Sequence, residues 1–423
     1  MDSSHTPAAA GRPAGATLRD LLIVWAVPLL PLLFLGWEIS GSGKTVSVPK
    51  LLLPAIAGLW LLALRQGAAQ RGTAEREGSA QPGGAAQPSA LESLNTPVFW
   101  GFGAYLAWIA AGTAAGGAGW GYWHLAEEVL YVLILAAVWS HPPGGGKRFW
   151  ANLDIVCLLL AAWGAYLLLL RPPRTSLLYM FIGTPNVAGA FLTIVILRTL
   201  HGRRWGMCAL FLAGFAAFHS AGALLGLLFG LIALIRSRRA RWPIFAAVLA
   251  AAALYVGANV SDPIARGKEA YTESATTSTF WKNSIHPRLY VAQIAATEMA
   301  RRPWLGSGLG TFPSAFLAAE RRETKEADIP WWRFQRPAGS LNEMSAHNDF
   351  VRIAVETGIP PALFWLGGCL ALLWRLRRHP LARAMMLAFL VQSATDNFYN
   401  LANYIPVLWV AIAFAAEAEA PAP

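Results

Sequence analysis

Long apolar runs separated by short polar or basic breaks dominate the chain. The runs fall at 21–36, 51–64, 98–116, 125–139, 153–170, 177–197, 207–218, 221–235 and 243–260, and then, after a long polar stretch, at 359–374, 381–394 and 402–415. About 20 apolar residues carry a helix across the hydrocarbon core, with about 17 the usual minimum. Several runs fall short of that, so their ends are placed only to within a few residues. The first run follows Arg12 and Arg19 and leads into Trp37-Glu38 with no small-residue cleavage site, so it reads as a retained span rather than a signal peptide. Residues 207–235 divide at His219-Ser220 into two spans. The pattern predicts an all-α polytopic membrane protein of about 12 transmembrane helices.

Two long connections stand apart. Residues 66–96 are rich in Gly, Ala, Gln, Ser and Pro, too simple to build a core, and read as a flexible linker. Residues 261–346 hold 11 Lys/Arg and 9 Asp/Glu together with Trp281, Trp304, Trp331 and Trp332. A connection of that length is usually functional, and this one predicts a large helical loop capping the outer face. The expected organisation is a cytoplasmic tail over 1–20, helices one to nine over 21–260 with 66–96 as a cytoplasmic linker, the cap over 261–346, helices ten to twelve over 347–418, and a cytoplasmic tail over 419–423.

Composition agrees with a bilayer setting. Of 423 residues 56% are apolar and 13% charged, with a mean hydropathy of +0.43, against about 25% charged in soluble domains. An ordinary cytosolic enzyme, a disordered scaffold and a disulfide-stapled module are excluded. The net charge of +11 does not point to nucleic acid, because the basic residues sit in short clusters between apolar runs. Such clusters mark cytoplasmic loops: Arg65, Arg71 and Arg76; Lys147 and Arg148; Arg198, Arg203 and Arg204; Arg236, Arg238, Arg239 and Arg241; Arg375, Arg377 and Arg378. The opposite short loops carry Lys44, Lys50, Arg171 and Arg174. Both termini then lie inside and the cap lies outside. Cys157, Cys208 and Cys369 fall within apolar runs, where a lone thiol behaves as a small hydrophobe.

Candidate chemistry concentrates where the cap meets the tenth span, in Ser345-Ala346-His347-Asn348-Asp349-Phe350-Val351-Arg352 and on to Glu356-Thr357-Gly358. On a continuous helix Asn348, Arg352 and Glu356 share one face, so Arg352 and Glu356 read as a structural ion pair while His347 points elsewhere. A His at a helix start by the membrane surface suits proton transfer or anion contact, or serves only as a residue satisfied by backbone groups. Arg288 reads as an anion contact or as a solvated charge. The series Gly306-Ser307-Gly308-Leu309-Gly310 has the wrong spacing for a dinucleotide loop and predicts a tight turn in which glycines admit close backbone approach. No Asp-x-Asp occurs, so no metal and no cofactor is expected; Glu127-Glu128 is the one carboxylate pair to watch.

Together Pro185-Asn186 with Gly189, Ser220 with Gly222, Arg288-Leu289, the run from Pro303 through Gly306, Gly308 and Gly310 to Phe312, and His347-Asn348 with Glu356 and Gly358 resemble the O-antigen ligase/polymerase superfamily of bacterial envelope enzymes. The resemblance covers roughly residues 177–374. It implies a glycosyltransferase in the inner membrane that takes a glycan from undecaprenyl pyrophosphate on the periplasmic face, metal-independently. The specific expectation is O-antigen ligase, with lipid A–core as acceptor. An O-antigen polymerase, a protein O-oligosaccharyltransferase and, in another class, a lipid-linked glycan transporter are the alternatives. His347 and Arg288 are the expected catalytic residues, with Arg266, His219, Asn348 and Asn186 binding donor pyrophosphate and acceptor. Many members carry Arg after the Ser of the turn; here that position is Ala221, which leaves His219 and Arg266 as replacement cations.

Overall fold

The structure is a computed structural model of the chain. It describes residues 14–32, 36–39, 44–47, 96–116, 119–140, 145–170, 185–218, 220–235, 279–324, 346–396 and 404–419, with a few positions between 54 and 61. Among these the regular structure is helical, apart from one antiparallel pairing of β1 (Gly36–Ile39) with β2 (Lys44–Ser47) in which Gly36 faces Ser47.

The first apolar run is not one α-helix. Helix α1 (Ala14–Leu21) passes into a π turn at Leu22–Ala26 and a 3₁₀ segment at Val27–Leu32. Pro28 and Pro31 remove two amide donors there, which an α-helix interior does not tolerate well. The next helices follow the apolar runs: α2 (Pro97–Gly116), α3 (Gly119–Ser140), α4 (Gly146–Leu170), α5 (Pro185–His201), α6 (Trp205–Ala217) and α7 (Ala221–Leu234). Beyond them lie α8 (Thr279–Arg301), α9 (Phe312–Glu323), α10 (Asp349–Thr357), α11 (Ile359–Arg375), α12 (Pro380–Thr395) and α13 (Ile405–Ala418).

The expectation of about twelve membrane-spanning helices is corrected by these lengths. Among the described residues four helices are long and apolar enough to cross a membrane, namely α2, α3, α4 and α11. The apolar helices α5, α6, α7 and α13 are shorter, at 10–17 residues. A helix such as α6, with 13 residues, reaches about 20 Å at 1.5 Å per residue, short of the roughly 30 Å core. Hydropathy counted these runs as spans because it cannot tell lipid-facing from protein-buried positions. In α13 every residue from Ile405 to Ala415 is buried, as expected of a helix that is apolar all round. The expected span at 243–260, most of 51–64 and the linker at 66–96 lie outside the described residues.

Close helix crossings use small residues. Where α2 meets α11, a Cβ on Gly101 would stand 2.7 Å from the Gly368 amide nitrogen. Helix α7 lies along α12, with Gly222 and Gly226 leaving room for Thr395 and Gln392. Aromatic rings fill the centre: Phe389 meets Trp409 edge-on at 5.7 Å, and Phe191 meets Tyr404 at 5.2 Å.

The described parts of the cap are α8 and α9. Tyr290, Ile294, Phe312, Phe316 and Val355 form a separate buried cluster that joins both helices to α10. The turn between α8 and α9 behaves as the glycine spacing predicts. Gly306 has φ of 63° and Gly310 φ of 76°, a region L side chains rarely enter. The turn backbone lies against the end of α10, with Ser307 N–H donating to Val355 O at 2.8 Å and Gly308 N–H to Glu356 O at 2.8 Å. A Cβ on Gly306 would collide with the Glu356 carbonyl.

Candidate active site

Four helix ends converge at one end of the bundle. They are the start of α5, the start of α7, the last residue after α12 and the residues leading into α10. The polar side chains they carry are Asn186, Ser220, Asp396 and His347.

His347 stands just before α10 with φ of 47°. A left-handed non-glycine residue is uncommon, though His is among the types that adopt it, and such backbone is often found at functional sites. It is held there by its neighbour. Asn348 caps α10, its Oδ1 accepting from Val351 N–H at 3.1 Å, while its Nδ2 donates to Ala394 O at 2.9 Å. The start of α10 is thereby tied to the end of α12, and the His347 ring is brought to Asp396, with Nδ1 3.2 Å from Oδ1. A proton on Nδ1 shared with this carboxylate fixes the orientation of the imidazole. His347 is 36% exposed and Asp396 13%, so the imidazole can be reached and the carboxylate is shielded.

The other carboxylate oxygen of Asp396 accepts from Asn186 Nδ2. Asn186 Oδ1 accepts in turn from Ser220 Oγ at 2.7 Å. Arg288, on α8, is half-buried. Burial lowers its affinity for its proton, and the negative charge of Asp396 works the other way. The cap thus sets a guanidinium in the electrostatic field of the carboxylate that holds His347.

The predicted site is therefore brought together in part. His347 and Asn186 meet at Asp396, Asn348 ties the His347 segment to Ala394 close by, and Arg288 feels the charge of Asp396. His219 and Arg266 lie outside the described residues. Asp396 is a site member that the sequence analysis does not name. The signal was partly available: an ionisable residue at the end of the apolar run 381–394 is a functional candidate.

The expected ion pair is present. Arg352 Nη1 lies 3.2 Å from Glu356 Oε2, with Arg352 Nε 3.8 Å from Asp349 Oδ1, all buried. Burial opposes the Arg352 charge, but Glu356, Asp349 and Glu128 more than offset it and raise its affinity for the proton. Glu356 Oε1 also accepts from Phe312 N–H at 3.1 Å, stitching α9 to α10. Glu127, watched as a metal candidate, accepts from Trp123 Nε1 at 3.1 Å and lies 3.4 Å from His124 Nδ1. Glu128 lies buried beside Tyr105. Among the described residues no group of three His, Cys, Asp or Glu side chains is arranged to hold a metal ion.

Comparison with known families bears on this site directly. Residues 206–366 match the O-antigen ligase family. The matched stretch includes Ser220, Arg288, the glycine turn, His347 and Glu356, and it ends before Asp396 and begins after Asn186. No curated protein matches the chain. With the long apolar helices, the domain supports a membrane-associated activity of the O-antigen ligase type and a substrate class of polyprenyl-pyrophosphate-linked glycans.

Proposed function

We propose that the chain joins O-antigen polysaccharide from undecaprenyl pyrophosphate to lipid A–core, at the periplasmic face of the bacterial inner membrane. The reading rests on one observation above the rest: the O-antigen ligase match contains both His347 and Arg288, and His347 meets Asp396, whose charge also acts on Arg288. In this reading Arg288 neutralises pyrophosphate charge as the leaving group departs, a task suited to a planar guanidinium with fixed charge. His347 takes the proton from the acceptor hydroxyl at Nε2, or holds that hydroxyl in line with the anomeric carbon. The hydroxyl oxygen forms the new glycosidic bond as the bond from anomeric carbon to pyrophosphate oxygen breaks, and undecaprenyl pyrophosphate leaves with the electron pair. Asn348 holds the segment that carries His347.

Orientation follows from the basic clusters. Arg198, Arg203 and Arg204 lie at the end of α5 far from Asn186, and Arg375, Arg377 and Arg378 lie at the C-terminal end of α11. Retention of basic residues on the cytoplasmic side supports a periplasmic setting for the His347 end.

The deciding experiment reconstitutes the full chain in liposomes with a lipid-linked glycan and three candidate acceptors in parallel. Glycan on lipid A–core is the expected product. Elongated lipid-linked glycan would make the protein a polymerase, and glycan on a pilin-like protein would make it a protein transferase. Movement of intact donor across the bilayer without any transfer would make it a transporter.

A further inference from the structure

We propose that Asn186 and Ser220 are positioning residues that act through Asp396 to aim His347, rather than contacts to the donor. The proposal rests on the reading of His347 as the acceptor-side group. The side chain of Asn186 is committed at both ends, its Nδ2 donating to Asp396 Oδ2 and its Oδ1 accepting from Ser220 Oγ at 2.7 Å. Ser220 is fixed in turn, because its Oγ caps α7 by accepting from Ala223 N–H at 3.1 Å. The bonds run from the start of α7 to the start of α5, to the end of α12 and to the segment before α10, so each link joins a different element.

This arrangement matters because a carboxylate at a helix end is free to turn. Asp396 is the last residue of the α12 turn, its N–H donating to Gln392 O at 2.8 Å, and its backbone is extended. With Oδ2 held by Asn186, the plane of the carboxylate is set and Oδ1 meets His347 Nδ1. Catalytic groups work within about 0.5 Å of the productive geometry and depend on such outer support. Both supporting residues lie on elements whose crossing is fixed by packing: a Cβ on Gly189 of α5 would strike the Ala223 side chain, and one on Gly222 would stand 2.6 Å from Thr395 Oγ1. The distance from Ser220 to His347 is therefore set by rigid helices and not by a loop.

A double-mutant cycle on the full chain in liposomes tests this, with donor and lipid A–core as substrates. Asn186→Ala should lower kcat by tenfold to a hundredfold, the range for a misplaced reacting group, with both KM values within about twofold. Ser220→Ala should lower kcat less, and Ser220→Thr, which keeps the hydroxyl, should restore it. In an Asp396→Ala background Asn186→Ala should change nothing further. A raised donor KM with kcat intact would make Asn186 a substrate contact, and an undiminished further loss in the Asp396→Ala background would show that it acts on its own; either overturns the proposal.

A second measurement does not depend on turnover. The rate at which diethylpyrocarbonate modifies His347, followed by peptide mass spectrometry, should change to the same extent in Asn186→Ala, Asp396→Ala and the double variant. Unchanged His347 reactivity in Asn186→Ala ends the proposal even if turnover falls. If the wild-type protein transfers no glycan, the functional reading fails, while the reactivity series still decides whether the relay exists. Should Asn186→Ala not insert, Ser220→Ala carries both measurements.

Discussion

The two ends of the bundle each bury an aspartate, and they use it in opposite ways. At one end Asp154 is saturated by permanent cations. Arg198 Nη1 contacts its two oxygens at 2.7 and 2.8 Å, Arg204 Nη1 lies 2.7 Å from Oδ2, and the Arg198 guanidinium stacks 4.7 Å over the Trp150 ring. Beside it His201 Nε2 lies 3.0 Å from Glu419, which also accepts from Leu381 N–H, fastening α5, α12 and the end of α13. At the other end Asp396 is held by an amide and an imidazole. A carboxylate clamped between guanidiniums has no chemistry left to offer. One that faces an imidazole can orient it and stabilise the charge it acquires on taking a proton. The same residue type is thus a fastener between guanidiniums at one end and the partner of an imidazole at the other, and the difference lies in its partners.

The largest effect that could break this contrast is at His347. His347→Ala should reduce transfer by about 10²- to 10⁴-fold, the usual contribution of a general base, while the protein still inserts and binds donor; wild-type rates in purified components would leave His347 a helix-start residue and nothing more. Next is Arg288→Lys, expected to lose about tenfold or more in kcat/KM, because an ammonium cannot reproduce the two-pronged contact of a guanidinium. Full activity in Arg288→Lys would show that a point charge suffices there.

The third test concerns the ion pair beneath the cap. Glu356→Ala removes the nearest counter-charge of buried Arg352 and the acceptor of Phe312 N–H, so folded protein should fall by about 3 kcal/mol of stability with turnover per folded molecule largely kept. A selective loss of turnover at normal thermal stability would move Glu356 into the site. Asp154→Asn should act in the same sense but more weakly, by about 2 kcal/mol, since Arg204 is 44% exposed and water can take over its solvation. A kinetic defect there, without loss of stability, would erase the distinction between the two ends. Smallest of all is the effect of EDTA on purified components, expected to be none. Activity lost to EDTA and restored by magnesium or manganese would bring Glu127 and Glu128 forward as ligands.

Much of the helical plan could be read directly. The run 359–374 became α11 at Ile359–Arg375, and 98–116 became α2 at Pro97–Gly116. The Arg352–Glu356 pair was legible because i,i+4 residues meet on any helix. The glycine turn was legible as a place of close approach, but not the surface it approaches, which is the end of α10. The span count was misread because α13 is apolar for the sake of protein burial, which gives a hydropathy profile the same signal as lipid, and because helices such as α6 are apolar but too short to span.

By itself the sequence determined that the chain is helical and membrane-associated, that its basic residues cluster between apolar runs, and that His347 and Arg288 deserved suspicion. Those properties follow from composition, from local periodicity and from motifs a few residues long. Only the tertiary structure decided that Asp396 stands against His347 across 49 positions of sequence, and that Asn186 serves Asp396 across 210. Such pairings come from which helix ends the packing of α5, α7 and α12 brings level. That packing is set by glycine crossings and ring contacts between distant segments, and no local pattern encodes their height relative to one another.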